Sequence, residues 1–219
     1  MEGFLQWWTG DPWLIFISLV GGGVGVALIL RWRAWPVQRR LLALAVIVLV
    51  LHVWEEWRFP GGLHYAYNYL AGSTDAYALA RYPMSELTDM LTNVGGVLAG
   101  TAALIWAGRS TVTAITVWVV CVVEVLLHLG LGIAAFGVFG TVYDPGLATA
   151  LLGFLPLAIA YGVVIFRRLH PSFKQWLFGI LATAAVLVLF IKMPELLFAD
   201  PRSSYPFDSP GFYDYMQPD

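Results

Sequence analysis

Six apolar runs, each close to the roughly 20 residues that cross the hydrocarbon core of a bilayer, dominate this 219-residue chain. They cover residues 13–30, 41–57, 86–107, 111–139, 147–166 and 175–198, and charge clusters, proline and glycine separate them. Only 12% of the residues are charged and 59% are hydrophobic, with a mean hydropathy of +0.75. A soluble domain carries about 25% charge. A soluble globule of this size could not cover so much apolar surface, so the solvent for most of the chain is lipid. A formal net charge of -2 and one cysteine exclude nucleic-acid binding, disorder and a secreted disulfide scaffold.

The pattern predicts an all-α, polytopic transmembrane helix bundle of about six spans. The second run is short and ends in charged residues. The fourth is long, with Gly130, Gly132 and Gly137 as places to tilt or break. The first is not a signal peptide, because its N-terminal flank carries Glu2 and Asp11 and no basic residue. Basic residues set the orientation. Arg31, Arg33, Arg39 and Arg40 lie in the first connection, Arg109 in the third, and Arg167, Arg168 and Lys174 in the fifth. Eight of the 12 basic residues thus fall on one side, which is read as inner, with both termini outside. The multi-pass chain is expected in the cell (plasma) membrane.

Residues 1–199 read as one transmembrane helical domain and 200–219 as a tail rich in Pro, Asp and Tyr without regular structure. Residues 59–85 hold Tyr65, Tyr67, Tyr69 and Tyr77 and read as a partly helical outer flap. No internal repeat is visible. Gly21, Gly22, Gly23, Gly25 and the Gly96/Gly100 pair read as close helix packing. No strand precedes them, so they do not form a nucleotide-binding loop.

Ionisable groups inside spans cost about 2.5–3.5 kcal/mol each on insertion scales, yet three runs carry them. His52 stands i, i+3 and i, i+4 from Glu55 and Glu56; Glu86, Asp89 and Asn93 form one stripe; Glu124 and His128 are i, i+4. At 1.5 Å per residue, His52 to Glu56 lie about 17–23 Å above the inner helix end, Glu124 and His128 about 20–26 Å, and Asn93 and Asp89 about 21–27 Å. Three helices therefore bring polar faces to one layer in the outer half of the membrane.

Two imidazoles and several carboxylates form a natural ligand set for Zn, Fe or Mn. Candidate ligands are His52, Glu55, Glu56, Glu124 and His128, for one ion or two bridged by a carboxylate. Candidate catalytic residues are Glu55, Glu56, Asn93 and Asp89. One Glu–His pair alone would read as a polar clasp between helices. Two pairs with Asp89 and Asn93 in one layer read as a site. Cys121 reads as inert packing, His64 as a surface residue, and His170 as remote. Lys192 and Glu195 read as an ion pair. Arg58 could bind a head group, neutralise Glu55 or Glu56, or anchor its helix end.

His52-Val53-Trp54-Glu55-Glu56, followed by Trp57-Arg58-Phe59-Pro60-Gly61-Gly62, resembles the HXXEE-motif family of membrane proteins. Asn93, Glu124-Val-Leu-Leu-His128, Tyr143-Asp144-Pro145-Gly146, Thr149 and Leu155-Pro156-Leu157 stand where that resemblance expects them. It covers roughly residues 45–165. It implies a membrane-embedded site at His52, Glu55, Glu56, Asn93, Glu124 and His128, and an enzymatic role without an established reaction.

The favoured expectation is a metal-dependent membrane hydrolase acting on a lipid-like or apolar small molecule, with Glu55 or Glu56 as base. A di-iron oxidase shares the ligands but usually needs more His. The alternatives are a metal-free acid–base lipid or sterol isomerase and a transporter or proton pathway using the same carboxylates.

Overall fold

The computed structural model describes residues 2–215, and among them all regular structure is helical. A short helix α1 (Glu2–Thr9) precedes α2 (Pro12–Arg31). Helix α3 (Val37–Trp57) begins four residues before the expected run, with Arg39 and Arg40 in its first turns, and so reaches 21 residues. The flap holds α4 (Leu63–Leu70) and α5 (Ala76–Leu79). Then follow α6 (Glu86–Trp106), α7 (Thr111–Phe139), α8 (Leu147–Leu169) and α9 (Phe173–Phe198). Ser85, Ser110 and Ser172 cap α6, α7 and α9 by accepting a bond from the third helical residue. The fourth run forms one continuous helix and does not break at its glycines.

Five helices, α2, α3, α7, α8 and α9, are long and apolar enough to cross a membrane, and the protein is a helical membrane protein. Helix α6 matches α3 in length but falls outside those five. Its first eight residues include Glu86, Asp89, Thr92 and Asn93, which lower its hydropathy. Around the perimeter, Leu19, Ile29, Ile133, Leu152 and Leu196 are 71–81% exposed, an apolar belt suited to acyl chains.

Prolines shape the last two helices. Five-residue π turns at Ala150–Phe154 and Val188–Lys192 stand just before Pro156 and Pro194. A proline removes one N–H and crowds the carbonyl four residues back, and a wider turn accommodates both effects.

Helix α3 is central. One side packs with Trp13, Ile17 and Val24 of α2 and Met90, Val97 and Leu104 of α6 through Val46, Val50, Val53 and Trp57. Its other side packs with Ile115, Cys121 and Val125 of α7 and Phe154, Leu157 and Tyr161 of α8 through Leu41 and Ala45. Burial on both sides explains its apolar character all round. Glycine allows the closest approaches: a Cβ at Gly179 would stand 2.5 Å from Ile115.

The tail after α9 runs back across the end of the bundle that carries the 59–85 connection. It was expected to lack regular structure, but it holds a 3-10 helix at Gly211–Tyr215 and is packed, because its aromatic residues find partners in that connection. Tyr213 is fully buried among Tyr65, Ala66 and Leu79, and Phe212 donates its N–H to the Gly61 carbonyl at 3.0 Å. A Cβ at Gly62, whose φ is +100°, would lie 2.2 Å from the Pro210 carbonyl oxygen.

His64, expected at the surface, is buried under this segment and stacks on Phe207 with centroids 3.6 Å apart. Burial pushes its pKa down to about 3. A detached segment leaves His64 free to take a proton near its ordinary value of about 6.5. Docking therefore weakens as pH falls below about 6.5, by up to about tenfold per pH unit. Proteolysis within residues 200–215 should accelerate between about pH 7 and about pH 5, and His64→Phe should flatten that profile. The same profile in both proteins would overturn the assignment.

Candidate metal centre

The layer of polar residues condenses around two imidazole rings. His52 on α3 and His128 on α7 face each other edge to face, with ring centroids 4.7 Å apart and their Nε2 atoms 3.1 Å apart. Glu56, one turn above His52, places Oε1 3.1 Å from His52 Nε2 and 3.2 Å from His128 Nε2. Glu124 brings Oε2 to 3.7 Å from His52 Nε2. His52, Glu124 and His128 each offer a ligand atom within 4.8 Å of one another and can hold a metal ion.

The far side of each ring is fixed. His128 Nδ1 lies 3.1 Å from Asp144 Oδ2, which as a carboxylate accepts the ring proton. His52 Nδ1 lies 2.6 Å from Thr149 Oγ1. That hydroxyl spends its own hydrogen on Glu55 Oε2 at 2.5 Å, so it accepts from His52. With both protons on Nδ1, the Nε2 lone pairs point into one space that Glu56 and Glu124 also enter. Hydrogen bonds on the outer nitrogen are how proteins orient metal-binding imidazoles.

Glu55 was expected as a ligand and as a base, and the structure does not bring it to the cluster. Its carboxylate turns to the N-terminus of α8 and accepts from Tyr143 Oη at 2.7 Å, Ala148 N at 2.9 Å, Thr149 N at 2.7 Å and Thr149 Oγ1. Helix starts carry unpaired N–H groups and partial positive charge, which this carboxylate from a neighbouring helix answers.

Asp89 and Asn93 are buried and joined to each other, Asn93 Nδ2 donating to Asp89 Oδ1 at 3.0 Å. Among the described residues no hydrogen bond ties them to the four converging groups. Asn93 and Glu124 instead share the wall of a cavity of about 310 Å³. Arg58 pairs with Asp11 and so ties α3 to the start of α2, leaving Glu55 and Glu56 to other partners. Lys192 and Glu195 form their pair at 2.6 Å. Cys121 is buried and unpaired in the α3–α7–α8 core.

Asp144, Thr149, Tyr143, Gly146 and Tyr213 were not singled out as site residues. All five lie in the α7–α8 connection, the start of α8 or the tail. Tyr213 donates to Asp144 Oδ1 at 3.1 Å and extends the chain Tyr213–Asp144–His128. Burial raises the Asp144 pKa, against the opposing bonds from His128 and Tyr213. Burial also pushes the Tyr143 and Tyr213 phenols up, so both remain donors. A Cβ at Gly146 would stand 2.2 Å from His128 Cε1, so the ring packs directly on the glycine backbone. The Tyr143-Asp144-Pro145-Gly146 segment was the available signal.

Removing the Glu55 carboxylate leaves the part-buried N–H groups of Ala148 and Thr149 without their acceptor, at up to about 1 kcal/mol each. Glu55→Ala should lower the thermal midpoint in detergent more than Glu124→Ala does, because the latter frees no backbone donor. Equal midpoints for the two variants would contradict the capping role.

Residues 43–161, just over half the chain, match the model of a family described as "Protein of unknown function with HXXEE motif". Comparison with curated proteins and with solved structures returns no match. The matched segment contains both imidazoles, all the carboxylates around them and the α7–α8 connection, and the chain belongs to the HXXEE-motif family.

Proposed function

We propose that this protein is a metal-dependent membrane enzyme, most simply a hydrolase, acting on a lipid-like substrate at the His52/His128 centre. The observation that carries this reading is the pair of imidazoles whose Nδ1 atoms are held by Thr149 at 2.6 Å and Asp144 at 3.1 Å and whose Nε2 atoms meet at 3.1 Å beside Glu56. A metal ion would satisfy both the ring nitrogens and the carboxylates gathered in this buried space. Donors bound to one tetrahedral zinc at about 2.0–2.1 Å stand about 3.3–3.4 Å from one another. Three of the separations here, 3.1, 3.1 and 3.2 Å, approach that spacing.

His52, His128 and Glu56 are then the ligands of a single ion, with zinc favoured over iron or manganese. Such an ion supplies Lewis acidity and lowers the pKa of water at the site. Glu124, farther out and bordering the cavity, takes the base role first considered for Glu55 or Glu56. Asp144 and Thr149 hold the two rings in the required tautomer. Asn93, held by Asp89, offers its carbonyl oxygen to the substrate end of the cavity.

In this reading α6 is the sixth span, both termini lie outside, the eight basic residues face inward and the membrane is the plasma membrane. A polar start is tolerable for α6 because it faces α3 and the site.

Element-resolved mass spectrometry on purified protein tests the proposal. Wild type should carry one metal ion per chain. His52→Ala and His128→Ala should lose it, and Glu124→Gln should keep it. Asp144→Asn should bind about 10–100-fold more weakly. A wild-type protein without stoichiometric metal would overturn the metal reading and leave the cluster as a proton-sharing acid–base site.

A further inference from the structure

The cavity that ends at Glu124 and Asn93 has a shape that narrows the substrate. Five helices line it, with Phe154 of α8 at the His52 end. Helix α3 gives Leu42, Ala45, Val46 and Leu49; α6 gives Gly96, Ala99, Gly100 and Ala103; α7 runs along it from Val112 to Glu124; and α9 closes it with Phe190 and its neighbours. Helix α9 packs along α7 but meets α6 only through its outer end, from the π turn onward. A slot between α6 and α7 results.

We infer that this slot holds the single hydrocarbon chain of an acyl or prenyl lipid, whose polar end meets the His/Glu centre, and that α6 sets the accepted chain length. The inference rests on the enzymatic reading of that centre. From Val112 to Glu124 is twelve residues, or about 18 Å of helix, the reach of a long acyl or prenyl chain. The carboxylate and the amide stand at one end, Glu124 and Asn93 with Thr92 beside them, whereas the rest of the wall offers only two hydroxyls, Thr116, which spends its hydrogen on the Val112 and Gly179 carbonyls, and Thr113 next to Val112. A volume of about 310 Å³ is at the low end of small-molecule sites. It suits one chain, not the two of a phospholipid, and excludes a helix of about 10–12 Å diameter. Residues 96, 99, 100 and 103 lie at helical spacing on one face of α6, and their small side chains form the slot. At Gly96 an added Cβ would meet Leu49 at an ordinary 3.6 Å, so a larger side chain there enters open space. Ala103 marks the end remote from the site.

Photolabelling tests this with palmitic and decanoic acids carrying a diazirine at the chain terminus. Purified full-length protein is labelled in detergent and the adducts are mapped by peptide mass spectrometry. Palmitic acid should label the Ala103 and Val112 region, and decanoic acid, shorter by six carbons, should label roughly five residues nearer Glu124, around Thr116 and Val117. Ala103→Phe should cut palmitic-acid labelling by about tenfold or more, as expected for expelling roughly two methylenes, and leave decanoic-acid labelling unchanged. Gly96→Leu should reduce both. Labels spread over the outer belt at Ile133 and Leu152, or Ala103→Phe acting equally on both acids, would overturn the inference. Metal content measured on the same samples separates the two readings. Intact metal with no chain-length effect removes only the slot, and a normal chain-length pattern without metal removes only the metal centre.

Discussion

Two imidazole nitrogens facing each other across 3.1 Å, inside a membrane protein, are the constraint around which the His52 end of the bundle is organised. The arrangement is costly in isolation, since carboxylates and imidazoles gain little solvation there. It persists because each ring is gripped from behind. On one side the grip is Glu55 to Thr149 to His52, anchored on the start of α8. On the other it is Tyr213 to Asp144 to His128, anchored on the α7–α8 connection and the tail. Breaking either chain frees a ring to rotate and leaves its partner groups buried without bonds. The scaffold of α3, α7 and α8 is packed tightly around these two chains, down to the contact of His128 with the Gly146 backbone.

What the sequence made legible follows from periodicity. Spacing placed His52 beside the two glutamates and Glu124 beside His128, and rise per residue placed them in one layer. Spacing could not separate Glu55 from Glu56. The two are neighbours on one helix and point about 100° apart, so only one can face the second imidazole. Which one depends on where α7 and α8 pack. The i+4 residue Glu56 faces the imidazoles, and Glu55 faces the start of α8.

The remaining surprises belong to segments without a period. Asp144 and Tyr213 are 69 residues apart, one in a connection and the other in a single short 3-10 helix, so no periodic pattern links them. His64 follows a Pro-Gly-Gly turn in a Tyr-rich stretch that reads as surface, and its burial depends on a tail whose docking no spacing or pattern announces. The glycine pair of α6 read as a contact motif. Gly100 does approach Val46, at 3.0 Å for an added Cβ, yet Gly96 and Gly100 also line open volume. Small residues permit contact and vacancy alike, and only the placement of α7 and α9 decides between them.

The docked tail has one more consequence, for the order in which the protein matures. Tyr213 follows the last membrane helix, so the hydroxyl that steadies Asp144 arrives only after α9 has been made and placed. Both imidazoles and the carboxylates around them belong to α3, α7 and the α7–α8 connection, all of which precede Tyr213 in the chain. The contact that steadies Asp144 is thus synthesised after every group it serves.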